Sequence, residues 1–151
     1  EKPTLPHIRR DMIDYYGIPE SQINNIKNGM DWVMEDGDVI PNSRLVTPAD
    51  PVRSYAYCSD TKYMPQLSQA LRGVTTLYHE STYGEDNKKN AEKYYHSTAS
   101  QAATVARDAN VGQLILGHFS ARYNDESILL EEAKSIFANA FLAKEMAIFN
   151  V

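Results

Sequence analysis

Over the last hundred residues the apolar positions follow two alternating rhythms. Short apolar and β-branched runs at Ser54–Ser59, Val74–Tyr78 and Gln113–Gly117 predict strands. Between them the spacing is helical. Met64–Leu71 predicts a short helix stopped by Gly73, and residues 85–95 predict a polar helix. Residues 98–109 predict a further helix, with Ala99, Ala102, Ala103 and Ala106 on one stripe. Small residues at that spacing imply close packing on a sheet. Thr98 and Gln101 stand where a capping box would open this helix. Residues 126–137 predict an amphipathic helix with Leu129, Ala133, Ile136 and Phe137 on one face, and Met146–Val151 predicts a closing strand. Strand and helix in alternation mean α/β layering.

The first fifty residues read differently. They predict helices over 6–16 and 20–28, with Gly17 and Gly29 placed as C-caps. A hairpin-like stretch follows, with Trp32-Val33 and Val39-Ile40 flanking Glu35-Asp36-Gly37. Few residues here are suited to a core of their own, so the region is expected to be a projecting substructure. The segment Thr47-Pro48-Ala49-Asp50-Pro51 separates it from the rest. Two regions result, 1–50 and 51–151.

Composition narrows the function classes. The chain has 151 residues, 42% hydrophobic and 23% charged, which excludes wholesale disorder. No apolar run is long enough to span a bilayer, so no membrane partner is expected. A net charge of −5 argues against gripping nucleic acid by bulk positive charge, yet leaves room for an enzyme that touches a few phosphates. Residues 1–40 are more acidic still, with Lys2, Arg9, Arg10 and Lys27 against eight carboxylates. A single cysteine, Cys58, excludes an internal disulfide and fits a reducing compartment. No leader pattern opens the chain, so a cytoplasmic protein is expected. The first residue is not Met, which suits an excised domain or a trimmed chain.

Open α/β sheets carry their sites at the carboxyl ends of the strands. Three strands in succession run into ionisable groups: Asp60, then His79-Glu80, then His118. If the strands are parallel, these side chains are expected to converge on one rim. His96 stands just ahead of the helix opening at Thr98, where unsatisfied N–H groups favour an anion. Each residue also has an ordinary reading. Asp60 could cap its own turn, and His118 could be a hydrogen-bonded rim histidine. His79 and Glu80 could form a polar strand end, and His96 could be a helix-start residue with a free imidazole. Arg122 could pair with Asp125 or Glu126. Cys58 reads as a buried strand residue, and Tyr94-Tyr95 reads as packing, with base stacking as an unsupported alternative.

Four motifs occur in order: Tyr57-Cys58-Ser59-Asp60-Thr61, Tyr78-His79-Glu80-Ser81-Thr82-Tyr83, His96-Ser97-Thr98-Ala99 with Gln101-Ala102-Ala103, and Gly117-His118-Phe119-Ser120-Ala121-Arg122-Tyr123. With the late stretch Leu142-Ala143-Lys144-Glu145-Met146, they resemble the C-terminal half of the ribonuclease Z family. These are the tRNA 3′-processing endonucleases of the metallo-β-lactamase superfamily. The resemblance implies half of an αββα sandwich, a mixed sheet with covering helices, plus a projecting α+β exosite arm over residues 1–50. It implies Asp60 and His118 as zinc ligands in a two-zinc centre. His96 is implied as the catalytic histidine and Glu80 as the carboxylate orienting it. Arg122, Ser97 and Thr98 are implied at the substrate. The implied substrate is precursor tRNA, whose 3′ trailer is removed, and the implied assembly is a homodimer. Ser81 and Tyr83 stand where the family usually has Ala and Phe, and the arm lacks the usual Gly-Pro near its tip.

The family's His-x-His-x-Asp-His motif does not occur in these 151 residues. Two ligands do not hold a dinuclear zinc site. The expectation is therefore a fragment, inactive alone, that needs the missing N-terminal half. Two other readings remain open. One is a metallo-β-lactamase-fold phosphodiesterase or lactonase of another kind. The other is a non-catalytic RNA-binding or dimerisation module.

Overall fold

A computed structural model describes residues 3–150, and the chain divides into two compact units between Val52 and Arg53. The first unit is built from short pieces. Its strands are β1 (His7–Ile8), β2 (Trp32–Val33), β3 (Val39–Ile40) and β4 (Val46–Thr47). Its helices are α1 (Arg10–Tyr16), α2 (Ile23–Lys27) and α3 (Asn42–Leu45), with a 3₁₀ turn at Glu20–Gln22. β1 pairs with β4 and β2 with β3, both antiparallel. Gly17 ends α1 in the left-handed conformation, φ 59°, where its N–H closes onto the carbonyl of Asp14. The expected hairpin forms. The β1–β4 pair was not foreseen, because two-residue strands carry no periodicity. A small core exists after all: Ile18, Ile26, Ile40 and Leu45 are buried, with Met12, Ile13, Trp32 and Met34 packed around them.

The second unit is a parallel sheet covered by helices. β5 (Tyr55–Cys58), β6 (Thr76–Glu80), β7 (Gln113–Gly117) and β8 (Ala140–Leu142) lie side by side in that order, every pairing parallel. The connections carry α4 (Leu67–Ala70), α5 (Lys88–Tyr94), α6 (Ala99–Asp108) and α7 (Ser127–Lys134). Parallel pairing demands such crossovers. The register aligns Ala56, Leu77, Leu114 and Ala140 in one row. That row packs against Ala99, Ala102, Ala103 and Ala106 of α6 and Leu129 and Ala133 of α7. Residues without side-chain bulk let α6 approach the sheet closely, as its stripe implies. The capping box also forms, with Gln101 N–H donating to Thr98 Oγ1 at 3.1 Å and Thr98 N–H donating to Gln101 Oε1 at 2.9 Å. On the other sheet face Tyr55, Tyr57 and Phe141 are exposed, and Tyr57 stacks on Tyr78 at 4.6 Å.

Two element boundaries move. The last strand is Ala140–Leu142, because β7 offers its free edge there and Ala143 N–H still reaches the Leu116 carbonyl. No strand forms over 146–150. Met146 is left-handed, φ 62°, and both Met146 and Ile148 are almost fully exposed with no ladder to join. Val151, the end of the expected strand, lies outside the described residues. The helix expected over 126–137 stops at Lys134, yet Ile136 and Phe137 still pack on the core from the closing turn. Among the described residues no helix is long and apolar enough to cross a membrane.

Candidate metal centre

The parallel order brings the carboxyl ends of β5, β6 and β7 to one rim, where Asp60, Glu80 and His118 meet. Asp60 and His118 lie just beyond their strands and adopt left-handed backbone, φ 49° and φ 58°. A side chain with a Cβ takes that conformation at a cost of about 1–3 kcal/mol, and such outliers cluster at functional sites. His118 Nε2 stands 3.3 Å from Asp60 Oδ1. Among the described residues the Asp60 carboxylate pairs with His118 instead of capping its own turn.

Glu80 organises the site. Its carboxylate is fully buried and accepts five hydrogen bonds. Oε1 accepts from His96 Nδ1 at 2.8 Å and from Thr61 N–H at 3.0 Å. Oε2 accepts from Thr82 Oγ1 at 2.6 Å, Thr82 N–H at 3.2 Å and Ser97 N–H at 3.1 Å. Burial pushes the Glu80 pKa up, but the bonds from Thr82, His96 and Ser97 outweigh it and hold the carboxyl below its usual range. Three loops are thereby fastened to one carboxylate.

The network fixes proton positions. An ionised Glu80 has no proton to give, so Thr82 must donate to it. The Thr82 oxygen is then the acceptor for His118 Nδ1–H, 2.9 Å away. His96 likewise gives its Nδ1–H to Glu80. Both imidazoles then turn Nε2 away from this network, and that of His118 faces Asp60 Oδ1. Their rings lie 5.2 Å apart. Donor atoms of Asp60, His96 and His118 fall within 4.8 Å of one another, the one such group among the described residues. A carboxylate with imidazoles is a donor set that zinc and similar divalent ions accept. Ligands at about 2.0–2.1 Å in a tetrahedron stand about 3.3 Å apart, the spacing of His118 Nε2 and Asp60 Oδ1. The residues present fit part of a metal shell.

The remaining candidates separate. His79 does not reach the rim. It lies in register with Cys58 and Leu116, fully buried, with Nδ1 bonded to the Glu80 carbonyl at 2.7 Å and Nε2 without a partner. Burial drives its pKa down and so favours the neutral ring. Ser97 and Thr98 are also fully buried. Ser97 Oγ donates to the Thr61 carbonyl at 2.7 Å, and Thr98 Oγ1 is held by Gln101 and Glu85. In this structure both hydroxyls are engaged by partners within the protein. Arg122 is exposed and does not pair with Asp125 or Glu126. It donates to Asn87 Oδ1 at 2.8 Å and lies 5.2 Å over the Tyr83 ring, itself 6.2 Å from His96. Cys58 is half-buried, and burial raises its pKa. Thr82 and Thr61 carry more of the network than the sequence alone suggested. The one signal for Thr82 is a hydroxyl two places beyond Glu80 at a strand end, whereas Thr61 acts through its backbone N–H and carbonyl, which the sequence does not flag.

No protein-family model matches the chain. Its sequence is 53% identical over 145 residues to the ribonuclease Z of Bacteroides fragilis strain YCH46, across 96% of this chain and 48% of that protein. The chain is homologous to ribonuclease Z. Identity to the ribonuclease Z of Parabacteroides distasonis is 45% over 145 residues, again 48% of the relative. The chain thus spans about half the length of the curated relatives it matches. Among solved structures, the metallo-beta-lactamase fold protein YhfI from Bacillus subtilis superposes on 58% of this chain and 36% of its own, with TM-score 0.54 and 24% identity. That likeness shows the fold: the sheet and helices described above are part of a metallo-β-lactamase fold.

Proposed function

We propose that the chain is the C-terminal half of a zinc-dependent endoribonuclease that removes the 3′ trailer from precursor tRNA, and that it is inactive alone. The observation that carries this reading is the buried Glu80 carboxylate, which turns two imidazoles toward Asp60. Homology to ribonuclease Z supports the substrate class. Asp60 and His118 would hold zinc, and the remaining ligands would come from the N-terminal half. When bound, zinc supplies Lewis-acid polarisation and stabilises charge building on phosphorus.

The other steps belong to this chain's own side chains. His96, tied at Nδ1 to Glu80, carries a proton at Nε2 when charged. As a water oxygen bonds to phosphorus and the P–O3′ bond breaks, it hands that proton to the departing 3′-oxygen, leaving a 3′-hydroxyl on the tRNA and a 5′-phosphate on the trailer. A positioned acid of this kind is worth about 10²–10⁴-fold. Arg122 is free on one side to fork onto a phosphate. Ser97 and Thr98 act as positioning residues that fix the His96 loop to Thr61 and α6. Residues 1–50 serve as the exosite arm. The exposed aromatic face of β5 and β8 suits cover by the missing half. The complete protein works as a cytoplasmic homodimer in this reading.

The test compares the purified chain with the full-length protein on a precursor tRNA carrying a 3′ trailer, with zinc supplied. Cleavage by the full-length protein only, lost in His96→Ala and Asp60→Ala, is expected. Cleavage by the chain alone overturns its inactivity. Full-length protein that hydrolyses a small diester but no precursor tRNA overturns the substrate.

A further inference from the structure

One cleft next to the metal centre is used by none of these steps. Lys62, Tyr63, Glu92, Tyr95, His96 and Gln101 enclose about 270 Å³. That is just below the range of sites for whole drug-sized ligands, so it suits one group of a larger molecule. Its wall is continuous with the centre, because His96 lines it and Lys62 follows Asp60 by two residues.

Tyr95 is the unusual member. It caps α5 in left-handed backbone, φ 61°, a place where glycine fits at no steric cost. Packing does not explain an aromatic residue there, since Tyr95 is 67% exposed. Lys62 Nζ stands 5.7 Å from its ring centre. Beside it Tyr94 is also exposed, with Lys93 Nζ 5.1 Å from its ring. The chain as a whole is acidic, yet two exposed tyrosine rings, each with a lysine over it, flank the loop that holds His96. Exposed aromatics interleaved with cations are the means by which single-stranded RNA is held, bases on rings and phosphates on lysines.

We propose that this cleft is a nucleotide subsite: the base of a nucleotide flanking the scissile phosphate stacks on Tyr95, and Lys62 faces its phosphate. Glu92 and Gln101 offer an acceptor and an amide to the base edge. Stacking tolerates any base, so the subsite contributes affinity and placement more than sequence choice. The inference rests on the endoribonuclease reading.

The experiment uses the full-length protein and precursor tRNA with either flanking nucleotide made abasic. Tyr95→Gly removes the ring and relaxes the left-handed turn, so the fold is retained; Tyr95→Phe keeps the ring. Tyr95→Gly is expected to raise KM about 5- to 150-fold, the loss typical of one stacked base. Tyr95→Phe restores it. One abasic substrate shows the same loss with wild type and no further loss with Tyr95→Gly. A KM for Tyr95→Gly within about twofold of wild type, or penalties that multiply, overturns the subsite. Absence of cleavage by wild type would instead overturn the endoribonuclease reading. Anisotropy with a short single-stranded RNA then still decides on the cleft: equal Kd for wild type and Tyr95→Gly overturns it.

Discussion

The two units solve the problem of burying side chains in opposite ways. Residues 1–52 gather a few isoleucines and a leucine among two-residue strands and short helices. Residues 53–151 bury a wider apolar layer and, inside it, polar groups as well. Among the described residues every buried polar or charged side chain lies between Thr76 and Thr98. A polar group left buried without partners costs about 1–3 kcal/mol, so such a concentration is tolerable only where bonds are made. Glu80 makes five. The difference teaches where structure serves stability alone and where it also serves chemistry.

Breaking Glu80 should separate the units most. Glu80→Ala strands several donors in a buried space and is expected to cost about 3–5 kcal/mol. Hydrogen exchange should show protection lost across β6 and β7, with amides of 7–47 unchanged. Equal loss in both units would refute the contrast. Thr82→Val removes one of the five bonds to Glu80 together with the link to His118, costing about 1–3 kcal/mol. In the full-length protein it should also weaken zinc binding about 10–100-fold, read by competition with a chelating dye.

Acid should act on the second unit in two stages. The His79 pKa is lowered by burial, so the unfolded chain binds its proton first. Stability is therefore complete above the ordinary histidine value of 6.5 and falls as pH drops below it. Glu80, also lowered, adds a second loss below 4.5. Urea titrations across pH should show the first arm vanish in His79→Asn. At the small end, Val39→Ser touches an exposed hairpin position and should shift stability by less than about 0.5 kcal/mol in the same titrations.

Much of this was legible in the sequence because the second unit obeys simple periodicities. The alanine stripe of α6, its capping box and the strands ending at Asp60, Glu80 and His118 follow from spacing alone. The Met146–Val151 strand misled because alternation says nothing about a partner, and β7 had already spent its edge on Ala140–Leu142. His79 misled because strand side chains alternate, and a neighbour of Glu80 must face the other way. Buried hydroxyls were the least legible. Whether Ser97 reaches a ligand or the Thr61 carbonyl depends on a loop folded back from far along the chain.

The polarity of the parallel sheet has a practical side. All reactive groups gather where the strands finish, and the loops where they start hold none of them. The turns at Gly73, Asn110–Gly112 and Asn139 are stitched to one another by backbone bonds, such as Gly73 N–H to the Ala109 carbonyl and Leu114 N–H to the Asn139 carbonyl, and by the Asn139 amide, whose Nδ2 donates to the Gly112 carbonyl at 2.6 Å. That end is the natural place for a fluorophore, an affinity handle or an engineered split in the chain. An attachment there would sit away from the rim that carries Asp60, Glu80 and His118.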